Sequence, residues 1–112
     1  MAFPEFHLDM VRTGIALYGY HTERNLEKLI DLKPAMKLAT HASFIKTLSP
    51  GDTVGYGRTF TANQEMKIAT IRLGYADGIP RQLSNRWSLN VNNGKAPIIG
   101  KICMDLTMLD VS

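Results

Sequence analysis

From Pro34 onward the apolar positions recur every second residue. Met36, Leu38, Ala42 and Phe44 fall on one face of a long strand, and Lys37, His41, Ser43 and Thr47 on the other. Ser49-Pro50-Gly51-Asp52 signals a turn. Thr53 to Tyr56 fits a second strand, with Gly55 and Gly57 marking a bulge or tight bend. Thr59-Phe60-Thr61 is short and β-prone. Met66 to Leu73 alternates again, Ile71 and Leu73 against Thr70 and Arg72. Trp87 to Asn92 pairs with Ala96 to Met104 through Asn93-Gly94, a dipeptide suited to two positive φ values. Leu106, Met108, Leu109 and Val111 begin another strand.

Before Pro34 the pattern is mixed. Phe6, Met10 and Val11 suggest a helix end running into a short apolar strand, Gly14 to Gly19. Thr22 is a candidate N-cap for a helical turn that puts Leu26, Leu29 and Ile30 on one face. Pro34 stops that helix, because it pushes Lys33 out of α geometry. Short strands joined by Gly, Pro and Asn turns predict a mainly β fold, an antiparallel sheet or a partial antiparallel β-barrel-like domain over residues 34–112. A chain that stops on an apolar strand leaves an edge unpaired, so it is expected to be a truncated piece of something longer.

Composition narrows the function. The chain has 112 residues, 45% of them hydrophobic, which excludes a disordered tail. No apolar run approaches the ~20 residues of a transmembrane helix. Glu5 and Asp9 near the start, without a basic cluster, exclude a signal peptide. A lone Cys103 makes no internal disulfide and fits a reducing, cytoplasmic setting. The net charge of +3 is spread out and lacks the aromatic interleaving of a nucleic-acid surface. His7, His21 and His41 show no metal-ligand spacing, so no metal site is expected. Met36, Met66 and Met108 read as core filler.

Three segments carry candidate chemistry. Gly74-Tyr75-Ala76-Asp77-Gly78-Ile79-Pro80-Arg81 is a loop set by a good strand. Its tyrosine can act as acid or base if cations lower its pKa; it can equally pack on the rim of the sheet. Val11-Arg12-Thr13-Gly14-Ile15-Ala16 can hold an anion between an arginine and free backbone N–H groups; the plain alternative pairs Arg12 with Asp9 or Glu5. Cys103-Met104-Asp105 holds the only cysteine, with no activating histidine near it in sequence.

Five motifs together resemble one family. They are Val11 to Gly19 followed by Leu32-Lys33-Pro34-Ala35-Met36, Gly55-Tyr56-Gly57-Arg58-Thr59-Phe60-Thr61, Gly74 to Gly78, and Gly100-Lys101-Ile102-Cys103-Met104-Asp105. In this order they resemble the barrel-to-β-domain junction of alanine racemases, enzymes of fold-type III that use pyridoxal 5′-phosphate to interconvert L- and D-alanine. The resemblance implies that residues 1–33 are the end of a (β/α)8 barrel and its connector, and 34–112 the first part of a C-terminal β domain. It implies D-alanine supply for cell-wall peptidoglycan. It implies a cytoplasmic homodimer with shared active sites, in which the β domain of one protomer serves the barrel of the other.

By the same resemblance Tyr75 is the catalytic base that takes the α-proton of cofactor-bound L-alanine. Arg12 contacts the pyridine nitrogen, and the N–H groups of Gly14 and Ile15 hold the cofactor phosphate. Met104 and Asp105, with Cys103 beside them, lie near the substrate carboxylate. Thr13 stands where a proline is frequent, and Lys101 where an arginine is frequent. No segment of the 112 residues resembles the cofactor-bearing lysine motif, the supporting barrel histidine or the late phosphate-binding tyrosine. The 112 residues alone are therefore expected to be inactive. The alternatives are a racemase for another amino acid, such as serine, and a non-catalytic β module that dimerises or binds a partner.

Overall fold

The computed structural model describes residues 3–92 and 94–112. The chain divides into two compact units, Met1–Ala39 and Thr40–Ser112. No helix among the described residues is long and apolar enough to cross a membrane.

The first unit holds three short 3₁₀ turns, Pro4–Phe6, Gly14–Tyr18 and Arg24–Lys28. The segment from Gly14 to Gly19 is thus a helical turn and not the expected strand. Gly14 enters it at φ +56° and Gly19 closes it at φ +82°, donating its N–H to the Ala16 carbonyl at 3.1 Å. Both angles favour residues without a Cβ and break an extended backbone. The turn is held from outside as well, since Ala35 N–H donates to the Tyr18 carbonyl at 3.0 Å. The helical stretch after Thr22 is one short turn whose cap position is Glu23, with no side-chain capping bond. Met36, expected as core filler, is 76% exposed.

The second unit carries all the strands of the described residues: β1 Ala42–Leu48, β2 Thr53–Val54, β3 Phe60–Thr61, β4 Met66–Ile71, β5 Ser88–Val91, β6 Gly94–Pro97 and β7 Thr107–Asp110. All pairings are antiparallel. They form a three-stranded sheet in the order β1-β4-β7 and two two-stranded ribbons, β2-β3 and β5-β6. The fold is mainly β, as the turn-rich alternating pattern implies. The described strands form separate sheets and not a closed barrel.

β4 is the central strand, and its apolar residues are buried on both faces. One cluster gathers Ile71, Leu73, Ile79, Ile98, Ile102 and Leu109; the other gathers Leu48, Val54, Met66, Ile68 and Ile99. β1 is shorter than its alternation suggests. It begins at Ala42 because Ala42 pairs with Ile71, the last residue of β4, and nothing beyond Ile71 continues the ladder. Periodicity without a partner strand does not make a strand.

The β5-β6 hairpin also differs from expectation. Val91 already pairs with Gly94, so the connection begins at Asn92, at φ +48°; Asn93, the expected first turn residue, lies outside the described residues. β6 stops at Pro97. A single bridge from Ile98 to Leu109 ties it to β7, and the chain then leaves the sheet. That departure sends residues 100–106 across the end of β4.

Candidate functional site

Where β4 ends, the chain turns at Gly74 into a 3₁₀ turn, Tyr75–Asp77. Asp77 shapes this turn: its Oδ2 accepts the Gly74 N–H at 2.8 Å, satisfying a donor the turn leaves free. The loop then docks on the segment leaving β6. Tyr75 N–H donates to the Cys103 carbonyl and Ala76 N–H to the Met104 carbonyl, each at 3.0 Å. The approach is close enough that a Cβ on Gly74 would collide with those same two carbonyls. Gly74 is needed here for space; its backbone is extended.

The bend after Val54 meets the same segment. A Cβ at Gly55 would sit 2.9 Å from the Lys101 backbone nitrogen. Three motifs far apart in sequence, 55–61, 74–78 and 100–105, thus converge. A cleft of about 650 Å³ beside them is lined by Gly55, Tyr56, Arg72 and the run from Cys103 to Leu106.

Of the residues singled out from sequence, Tyr75, Cys103, Met104 and Asp105 come together here. Tyr75 is 43% exposed, and its ring lies 5.8 Å from the Arg81 guanidinium, within cation–π range. The Met104 N–H makes no hydrogen bond among the described residues. The Cys103 thiol donates weakly to the Lys101 carbonyl at 3.6 Å, and no histidine is shown beside it. That is the environment of a packed thiol and not of an activated nucleophile.

Arg12, Gly14 and Ile15 lie in the other unit. Gly14 and Ile15 open the Gly14–Tyr18 turn, so their N–H groups precede its first i→i+3 bond. Lys33 pairs with Asp31 at 2.6 Å, and Arg12 makes no ion pair with Glu5 or Asp9 among the described residues.

Arg81, the last residue of the loop singled out from sequence, lies over the Tyr75 ring. Three contributors escaped the sequence reading. Arg72 lines the cleft. Ser84 and Asn85 bond the backbone of the 100–102 segment. Only Ser84-Asn85 had a readable signal, because serine and asparagine after a proline-led turn are suited to bonding nearby backbone.

The tyrosine loop is thus bonded to two residues, Cys103 and Met104, that line the cleft. The alanine racemase C-terminal domain matches residues 35–112, and the chain belongs to that family. It is 51% identical to alanine racemase 2 of Oceanobacillus iheyensis over its whole length, covering 29% of that protein. It is 48% identical to the alanine racemase of Halothermothrix orenii over 98% of its length and 29% of the relative. Its fold superposes on an alanine racemase of Clostridium difficile 630 with a TM-score of 0.91, at 34% identity, over all of this chain and 30% of that one. The TM-score is 0.77, at 36% identity, against the Bartonella henselae alanine racemase with covalently bound pyridoxal phosphate, over 92% of this chain and 28% of that one. The chain spans under a third of the length of the curated relatives it matches.

Proposed function

We propose that the chain is part of a pyridoxal 5′-phosphate-dependent alanine racemase, an isomerase interconverting L- and D-alanine. Residues 1–33 are the end of its barrel domain and connector, and 34–112 the first part of its C-terminal β domain. The observation that carries the reading is the docking of the tyrosine loop, through the Tyr75 and Ala76 N–H groups, on Cys103 and Met104 of the cleft wall, in a chain whose relatives bear that name.

The donor set suits this cofactor. Arg12 offers N–H donors and no acceptor, and it keeps its proton. It therefore donates to a ring nitrogen without protonating it. The free N–H groups of Gly14 and Ile15 suit a phosphate. When bound, the cofactor supplies the electron sink that makes the α-proton of an amino acid removable. The protein's own part is then proton traffic and orientation. The Tyr75 phenol is both donor and acceptor, so it takes the proton on one face and returns it there in the reverse direction. The unpartnered Met104 N–H faces no competing acceptor and is available to a substrate carboxylate. Asp105, an acceptor only when ionised, repels that carboxylate and limits where it sits. The enzyme works as a cytoplasmic homodimer, with Tyr75 of one subunit serving the barrel of the other.

The test is racemisation of L-alanine by the full-length gene product, with and without added pyridoxal phosphate, with serine and lysine run in parallel. D-Alanine formation that depends on the cofactor is expected, and none from the 112 residues alone. Turnover of serine or lysine but not alanine would reassign the substrate. No turnover of any of the three would leave the reading without its chemistry.

A further inference from the structure

We propose that Ser84 and Asn85 are positioning residues that stand in for a missing neighbouring strand along Gly100–Ile102, and so set the place of Met104 against Tyr75. The inference rests on the racemase reading for its kinetic consequence, but its structural part stands independently of it.

The argument starts from unpaired donors. Ile99 N–H is still held by the Met108 carbonyl at 2.9 Å. At Gly100 the chain leaves the sheet, and neither Gly100 nor Ile102 N–H has a backbone acceptor among the described residues. Ile102 is fully buried, so its N–H has little access to water. Two consecutive side chains fill both places. Asn85 Oδ1 accepts the Gly100 N–H at 2.6 Å, and Ser84 Oγ accepts the Ile102 N–H at 3.0 Å. Donors two residues apart on one side are what a strand edge presents; here the acceptors are side chains.

Both acceptors are themselves fixed. The Ser84 hydroxyl spends its proton on the Arg81 carbonyl at 2.6 Å, which turns a lone pair toward Ile102. Asn85 Nδ2 donates to Thr59 Oγ1 at 3.3 Å and to the Thr59 carbonyl at 3.5 Å, joining the 55–61 motif to the 100–105 motif. Asn85 sits at φ +58°, a conformation asparagine adopts more readily than most residues. Residues 100–104 are thereby held from two sides. Ser84 and Asn85 hold the start, and the Tyr75 and Ala76 N–H groups hold the Cys103 and Met104 carbonyls. Releasing the first pair lets the segment slide relative to the tyrosine.

The test uses the full-length gene product with Asn85→Gly, Asn85→Asp and Ser84→Ala. Glycine keeps the left-handed backbone and removes the amide; aspartate keeps the oxygen that accepts from Gly100. Hydrogen exchange of the peptide spanning residues 99–103 should quicken at least tenfold in Asn85→Gly and Ser84→Ala, and stay near wild type in Asn85→Asp, because amides exposed by local opening exchange faster. With pyridoxal phosphate bound, Asn85→Gly should raise KM for L-alanine about tenfold with a smaller fall in kcat, since loss of placement weakens binding geometry first. Asn85→Asp should restore KM to within about threefold of wild type, the two bonds lost to Thr59, at 3.3 and 3.5 Å, being long and weak. Unchanged exchange in both Asn85→Gly and Ser84→Ala would overturn the proposal. So would an Asn85→Asp variant that behaves like Asn85→Gly. A wild-type protein that turns over no alanine would refute the racemase reading alone, and the exchange comparison would still decide the structural role.

Discussion

Replacing Gly74 with alanine tests the docking of the tyrosine loop most directly. The added methyl would run into the carbonyls of Cys103 and Met104, which are backbone atoms and cannot rotate away. The two segments must separate by about 1 Å, at the ~1–3 kcal/mol typical of overpacking. Separation also weakens the Tyr75–Cys103 and Ala76–Met104 hydrogen bonds, both 3.0 Å, each contributing ~1 kcal/mol net. The sum is about 3–5 kcal/mol. Because Gly74 is extended, none of this comes from φ strain. Gly78 is the internal control: it has open space at its Cβ position but sits at φ +94°. Gly78→Ala should cost only the ~1–2 kcal/mol of a left-handed backbone. The assay is denaturant unfolding of the full-length gene product, with alanine racemisation in parallel. Gly74→Ala should lower the midpoint more than Gly78→Ala. It should also cut turnover on the order of 100-fold, the usual effect of a 1 Å misplacement of a reacting group. A Gly74→Ala protein with wild-type midpoint and turnover would refute the close approach and the tyrosine's role together.

Tyr75→Phe keeps the ring beside Arg81 and removes a hydroxyl that makes no hydrogen bond among the described residues. Stability should stay within ~0.5 kcal/mol, while racemisation from the L side falls ~10²–10⁴-fold, the usual contribution of a general base; steady-state kinetics and one unfolding curve check both. Thr107→Val removes a fully buried hydroxyl that donates to the Leu73 carbonyl at 2.6 Å, just before the tyrosine loop. It should destabilise by about 1–3 kcal/mol, since that carbonyl is left without its partner; a midpoint equal to wild type would show that water reaches Leu73.

Much of the second unit was legible in its residues. The alternation from Met66 to Leu73 marks β4 as a strand, although the fold buries apolar side chains on both of its faces, and Leu106 to Val111 marks β7. The glycines around Tyr75 marked an irregular loop after a strand, which is what β4 delivers at Gly74. The limits of periodicity are visible in Met36 and Leu38. Their spacing matches a strand, but β1 begins only at Ala42, opposite Ile71, the last residue of β4. The Gly14–Gly19 segment failed differently: its apolar content suggests a strand, and two left-handed glycines decide for a turn.

The sequence by itself determined the mainly β character and the family, because alternation, turn residues and motifs are local properties. Only the tertiary structure decided that Tyr75 and Ala76 bond Cys103 and Met104, and that Ser84 and Asn85 accept from Ile102 and Gly100 where the sheet ends. Those contacts join residues 15 to 28 positions apart. No local preference encodes them. They follow from which backbone donors the sheet leaves unpaired when β6 ends, and from what the folded chain brings within reach to satisfy them.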